Sequence, residues 1–127
     1  MIIKPTNTIL VTGSSGFIGQ NLVVRLREMP NVCVIPFTRQ ENINSLVDLV
    51  AKVDMVVHLA GVNRPVSDAE FTSGNVDLTM AVCDAIRASN RNIPLILASS
   101  TQVDRSTIYG QSKKMAEEAV QLLAEQT

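Results

Sequence analysis

Tryptophan is absent from the 127 residues, and there are only three phenylalanines, one tyrosine, one histidine and two cysteines. So few aromatics imply an aliphatic core, the kind built by a parallel sheet covered on both faces. With a single histidine and no carboxylate cluster, nothing suggests a metal site. Cys33 and Cys83 lie far apart, in segments that read as buried strand and buried helix, so both are taken as reduced core residues rather than a disulfide or a metal pair. Charge of one sign is also missing. Eleven basic against twelve acidic residues leave a net charge of −1, which gives no general attraction to nucleic acid or anionic lipid. No apolar run approaches the roughly 20 residues that span a bilayer, and Met1-Ile2-Ile3-Lys4-Pro5 carries no signal-peptide pattern. The expectation is a cytoplasmic protein with no nucleic-acid or membrane partner.

Repeats, low-complexity stretches and linkers are absent too. What is present is enough apolar sequence, 46% of the residues, for one domain with a real core. Short β-rich runs alternate with helical spacing. Strands are expected at Thr8–Thr12, Val32–Phe37, Val53–Ala60 and Pro94–Ala98. Helices are expected at Phe17–Met29, with Ile18, Leu22 and Leu26 inward, at Ile43–Lys52, with Leu46, Val47 and Val50 on one side, at Asn75–Ser89 and at Ile108–Glu125. Strand and helix in alternation imply a parallel, doubly wound α/β sheet of the Rossmann type. A short helix between the second and third strands leaves no room for an extra edge strand, so the expected order is 2-1-3-4, within one domain over residues 1–127.

Thr12-Gly13-Ser14-Ser15-Gly16-Phe17-Ile18-Gly19 spaces its glycines as GxxGxxG between an apolar strand and a helix. That context suits a dinucleotide. Gly13 turns the chain, Gly16 admits a pyrophosphate, and Gly19 lets helix and sheet approach. The helix N-terminus favours the anion, and Ser14 and Ser15 offer hydroxyl donors. A P-loop is excluded, because no Gly-Lys-Ser/Thr follows. The second strand ends in Phe37-Thr38-Arg39-Gln40, without the acid at its tip that reads the ribose of NAD. Arg39 suits a 2′-phosphate, which favours NADP(H); the nearby Glu41 keeps NAD(H) in play.

Tyr109 and Lys113 stand four residues apart and share one face if the segment is helical. An ammonium beside a phenol favours the phenolate, and such a tyrosine can give its proton to a carbonyl oxygen during hydride transfer. Ser99-Ser100-Thr101 follows the fourth strand, at the carboxyl edge where open α/β sheets bind ligands. His58, lone in its strand, reads as a packed, hydrogen-bonded residue rather than a catalyst.

These pieces, in this order, resemble the extended short-chain dehydrogenase/reductase (NAD-dependent epimerase/dehydratase) superfamily. The likeness is carried by Thr12 to Gly19, His58-Leu59-Ala60-Gly61, Asn75-Val76, Ser99-Ser100-Thr101, and Tyr109 with Lys113. A narrower likeness, in His58 to Pro65 and in the short path from Ser99 to Lys113, is to the N-terminal reductase domain of capsular polysaccharide biosynthesis enzymes. Those enzymes reduce a 4-keto nucleotide sugar with NADPH and usually carry a C-terminal cupin domain. The resemblance implies a longer fold, of which this chain spans the N-terminal part.

The resemblance also implies roles. Tyr109 would be the general acid/base, Lys113 would hold the nicotinamide ribose, and Thr101 would be the hydroxyl member of the triad. Gly13, Ser14, Ser15, Gly16, Phe17, Ile18 and Gly19 would form the pyrophosphate turn. Leu59, Ala60 and Gly61 would pass beside the cofactor, and Asn63 and Arg64 would face the substrate. Thr101 is followed by Gln102 and Val103 instead of the acidic pair of sugar dehydratases, so dehydration is disfavoured. Three readings remain: an NADPH-dependent nucleotide-sugar reductase, an epimerase of the same superfamily, and a dinucleotide-binding module without catalysis. A homodimer through the Tyr/Lys helix is compatible with the likeness.

Overall fold

The computed structural model describes residues 6–61 and 72–126. Its sheet has four parallel strands: β1 (Asn7–Thr12), β2 (Val32–Phe37), β3 (Met55–His58) and β4 (Leu95–Leu97). They lie in the order β2-β1-β3-β4, as the sequence implies. The helices are α1 (Phe17–Arg27), α2 (Leu46–Val50), α3 (Leu78–Ser89) and α4 (Ile108–Gln126). A 3-10 turn (Ile43–Ser45) leads into α2, a π-helical turn (Thr72–Asp77) into α3, and a second 3-10 turn (Thr101–Asp104) lies before α4.

Alternation along the strands divides the core between two faces. Leu10 and Val56 point to one face, where Leu46, Val50, Val82, Ile86 and Leu123 cover them from α2, α3 and α4. Val11 and Val57 point to the other, where Val23, Leu22 and Leu26 of α1 pack. Leu10 and Val11 are wholly buried; each such aliphatic side chain contributes about 1.5–3 kcal/mol relative to exposure.

Three expectations about inward-facing residues are corrected. Cys33 is exposed, because it lies near the start of β2, an edge strand; Cys83 is buried in α3, and both thiols are free. Ile18 is exposed; the face of α1 that packs on the sheet begins at Gly19 and continues through Leu22, Val23 and Leu26. Val47 is half exposed. In a five-residue helix the positions Leu46 and Val50, one turn apart, share the buried face, and Val47 is rotated off it.

Candidate active site

The carboxyl ends of β1, β2 and β3 converge on a cleft of about 590 Å³. Its floor is the glycine turn. Gly13 adopts φ +68°, and a Cβ there would sit 2.6 Å from the Ala60 nitrogen. A Cβ on Gly19 would collide with the Gly13 carbonyl oxygen. Both positions therefore need glycine for close packing. Gly16 differs. It has extended backbone at the N-cap of α1, and an added Cβ would meet only the Gly13 oxygen, at 3.4 Å. The backbone at Gly16 is thus open to the cleft, next to the first turn of α1 with its unshared N–H groups.

Among the residues singled out for a cofactor, Gly13, Ser15, Gly16, Arg39, Leu59, Ala60 and Gly61 line this cleft. Ser14 does not. It is buried, and its hydroxyl donates to the Phe37 carbonyl at 3.3 Å, so it ties the turn to β2 instead of facing a ligand. Phe17 stands 85% exposed and, like Ile18, is not part of the cleft wall. Sequence reasoning missed Thr38, Ile43, Gly74 and Leu78, which also line it. Gly74 and Leu78 come from the approach to α3, whose position relative to β1 carries no local sequence signal.

The Tyr/Lys pair lies on the first two turns of α4. Thr107 opens that helix, its hydroxyl accepting from the Gly110 N–H at 3.0 Å. A Cβ on Gly110 would strike the Gln102 carbonyl oxygen, so glycine lets α4 start against the 101–104 turn. Tyr109 is half-buried. Lys113 is only 8% exposed and donates from Nζ to the Ala98 carbonyl, just beyond β4, at 3.0 Å. Burial holds its pKa below the usual lysine range, and the carboxylate of Glu117, one turn on, opposes that shift. Glu117 in turn accepts from the Ser99 hydroxyl at 2.5 Å. A Cβ on Gly61 would lie 3.2 Å from Lys113 Nζ and 2.9 Å from Asn75 Oδ1, so the chain just past β3 runs close to both side chains. The Asn75 amide donates to the Ser112 hydroxyl (2.9 Å), which donates to the Tyr109 carbonyl (2.7 Å). The side chain of Thr101, and Asn63 and Arg64 entirely, lie outside the described residues.

His58 is fully buried and hydrogen-bonded at both ring nitrogens, to the hydroxyls of Thr12 (Nδ1, 2.5 Å) and Thr79 (Nε2, 2.9 Å). The Thr12 hydroxyl accepts from the Ala60 N–H (3.2 Å), and the Thr79 hydroxyl donates to the Asn75 carbonyl (2.8 Å). Thr12 therefore has its hydrogen to give to Nδ1, and Thr79 a lone pair to receive Nε2–H. This network assigns the neutral Nε2–H tautomer. Desolvation, aided by the charge of Lys113, lowers the imidazole pKa to about 4. The residue is structural, as its solitary place in a strand implies, and it ties β1 and β3 to α3.

No group of three or more His, Cys, Asp or Glu that could hold a metal occurs among the described residues. Nor, among them, is any helix long and apolar enough to cross a membrane.

Comparison with known proteins agrees with this geometry. The chain is 47% identical over 117 residues to a UDP-2-acetamido-2,6-beta-L-arabino-hexul-4-ose reductase from Pseudomonas aeruginosa, covering 92% of this chain and 32% of that protein. The capsular polysaccharide assembling protein CapF from Staphylococcus aureus superposes with a TM-score of 0.78 at 36% identity, over 93% of this chain and 32% of that one. MoeE5, solved with UDP-glucuronic acid and NAD, gives a TM-score of 0.77 at 26% identity, over 93% of this chain and 50% of that one. The chain thus spans about a third of the length of the first two. Residues 9–127 match the NAD dependent epimerase/dehydratase family, and with the glycine turn, the parallel sheet and the Tyr/Lys helix in place, the chain belongs to that family.

Proposed function

We propose that residues 1–127 form the NAD(P)-binding domain of an enzyme that reduces a 4-keto nucleotide sugar with NADPH, in the cytoplasmic synthesis of a surface polysaccharide. One observation carries this reading. Lys113, one helical turn from the chain's sole tyrosine, is buried with its ammonium on the Ala98 carbonyl and beside Gly61. A buried cation held at the carboxyl edge of a sheet, next to an open glycine cradle, suits a reacting site better than a solvated surface.

The residues present fit a nicotinamide dinucleotide, because the backbone at Gly16 is open where a Cβ would otherwise intrude. Gly13, Ser15 and Gly16, with the N-terminus of α1, would hold the pyrophosphate, and Arg39 a 2′-phosphate. Leu59, Ala60 and Gly61 would flank the remainder. When bound, the reduced dinucleotide supplies the hydride that a ketone carbon accepts. Tyr109 holds the phenolic proton that the carbonyl oxygen takes up, and Lys113 keeps a positive charge behind it and binds the ribose. Thr101 would hydrogen-bond the same carbonyl, and Asn63 and Arg64 would meet the sugar nucleotide. The Pseudomonas reductase and the UDP-sugar bound to MoeE5 support a UDP-sugar as substrate. A homodimer through α4 belongs to the same proposal.

Titration with NADPH and NADH tests the cofactor. Saturable binding with NADPH tighter is expected, and thermal stabilisation should follow by mass action; no binding of either overturns the reading. Tyr109→Phe in the longest protein that contains this chain should abolish ketone reduction while leaving NADPH affinity within about twofold, since one hydroxyl is lost from the reacting group and none from the cradle. Unchanged turnover removes Tyr109 from the mechanism.

A further inference from the structure

At the end of β2 the backbone N–H and the hydroxyl of Thr38 both donate to a single carboxylate oxygen, Glu41 Oε2, at 2.7 and 2.5 Å. The Glu41 N–H returns a bond to the Thr38 carbonyl at 3.2 Å. Thr38, Arg39 and Glu41 line the same cleft as Gly13 and Gly16. Arg39 makes no hydrogen bond or ion pair to any group among the described residues. Two convergent donors with a guanidinium on the next residue make a set suited to an anion, and the anion now on those donors is the protein's own carboxylate.

We propose that Glu41 is an internal anion that competes for the Thr38 donors with the 2′-phosphate of a dinucleotide, and so limits how strongly this site prefers NADPH. The inference rests on the dinucleotide reading above and concerns the specificity of that site. The bonds from Thr38 keep the Glu41 carboxyl below its ordinary pKa, so it stays an anion at neutral pH. It is also exposed, so displacing it strands no buried charge, and its grip is a competition rather than a block. Glu41 is therefore committed to its own turn, not held out toward ribose hydroxyls. Arg39 draws a 2′-phosphate in, and Glu41 must leave Thr38 before that phosphate can take both donors.

Fluorescence titration of this chain with NADPH and with NADH tests the idea. Glu41→Ala should tighten NADPH by about three- to tenfold, the value of one exposed, charge-assisted contact set free, with NADH changed by less than about twofold. Thr38→Val in the Glu41→Ala background should remove the greater part of the gain, because the hydroxyl donor is then gone. A selective loss of NADH binding in Glu41→Ala would mean that Glu41 reads the ribose, and would overturn the proposal. So would an equal loss with both ligands, which would mark a turn-holding role. A gain that survives Thr38→Val would reduce the effect to simple removal of negative charge, and overturns it as well. If the unaltered chain binds neither dinucleotide, the dinucleotide reading itself falls, and this inference with it. Glu41 is exposed and Thr38 half-buried at the cleft edge, outside the apolar core, so the variants should keep the parent melting temperature, which thermal unfolding verifies.

Discussion

The Thr12 hydroxyl and His58 Nδ1 lie 2.5 Å apart, on residues that are register partners in adjacent parallel strands and that both have no solvent exposure. A neutral imidazole completes this network; a charged one would be trapped without water. The folded pKa, about 4, lies below the ordinary histidine value of 6.5. The unfolded chain then binds the extra proton first. This contribution to stability is full above pH 6.5, falls as pH drops toward 4, and stays lost below that. A gap of this size corresponds to about 3 kcal/mol. Urea unfolding from pH 7.5 to 4 should show this loss, and His58→Gln should show a shallower slope. Parallel slopes would contradict the assignment.

Lys113 should be felt at His58. Its charge is the second cause of the depressed imidazole pKa, so Lys113→Met should move the His58 titration midpoint upward. His58 is the chain's only histidine, so a single imidazole resonance in a proton NMR titration reports it unambiguously. An unmoved midpoint would mean that solvent screens the lysine. The same variant should weaken dinucleotide binding.

The three glycines of the turn should separate in mutagenesis. Gly19→Ala drives a methyl into the Gly13 carbonyl, a backbone clash with no flexible partner to yield. A loss of about 2–4 kcal/mol is expected, the range of overpacked or strained core sites. Gly13→Ala adds a positive φ to a similar clash and should be at least as severe. Gly16→Ala should leave stability within about 1 kcal/mol yet weaken NADPH binding, because its methyl would point into the cleft. Denaturant unfolding and titration of each variant distinguish these outcomes.

Thr79→Val should cost about 1–3 kcal/mol, the penalty for leaving a buried donor without its acceptor. Thr79→Ser keeps the hydroxyl and should recover most of it. A valine variant as stable as the parent would show that Nε2–H has another partner.

The fold was legible where the signal was local. Apolar runs five to eight residues long marked the strands, the GxxGxxG spacing marked the first turn, and the short helix before β3 predicted the 2-1-3-4 order. Errors arose where burial depends on a neighbour far away in sequence. Cys33 reads as core by composition, but β2 is an edge. Val47 reads as one face with Leu46, but the buried face runs through Leu46 and Val50, and Val47 is rotated off it. Within the site, Tyr109 and Lys113 were visible at helical spacing, whereas the Thr12–His58–Thr79 link was not. Strand register brings Thr12 to His58 and the packing of α3 on the sheet brings Thr79 to it, and neither leaves a local signal in the sequence. The Thr38–Glu41 contact, though local, was missed because an exposed glutamate after a strand looks the same whether it is solvated or folded back.

The lone tyrosine has a practical consequence. With no tryptophan present, the one strong intrinsic fluorophore of this chain is Tyr109, half-buried at the head of the helix that carries Lys113. Its emission overlaps the absorption of a reduced nicotinamide ring. Energy transfer from one to the other would act as a ruler between Tyr109 and a bound nicotinamide, with no label attached. The scarcity of aromatics thus places the protein's one strong fluorophore at its candidate reacting centre.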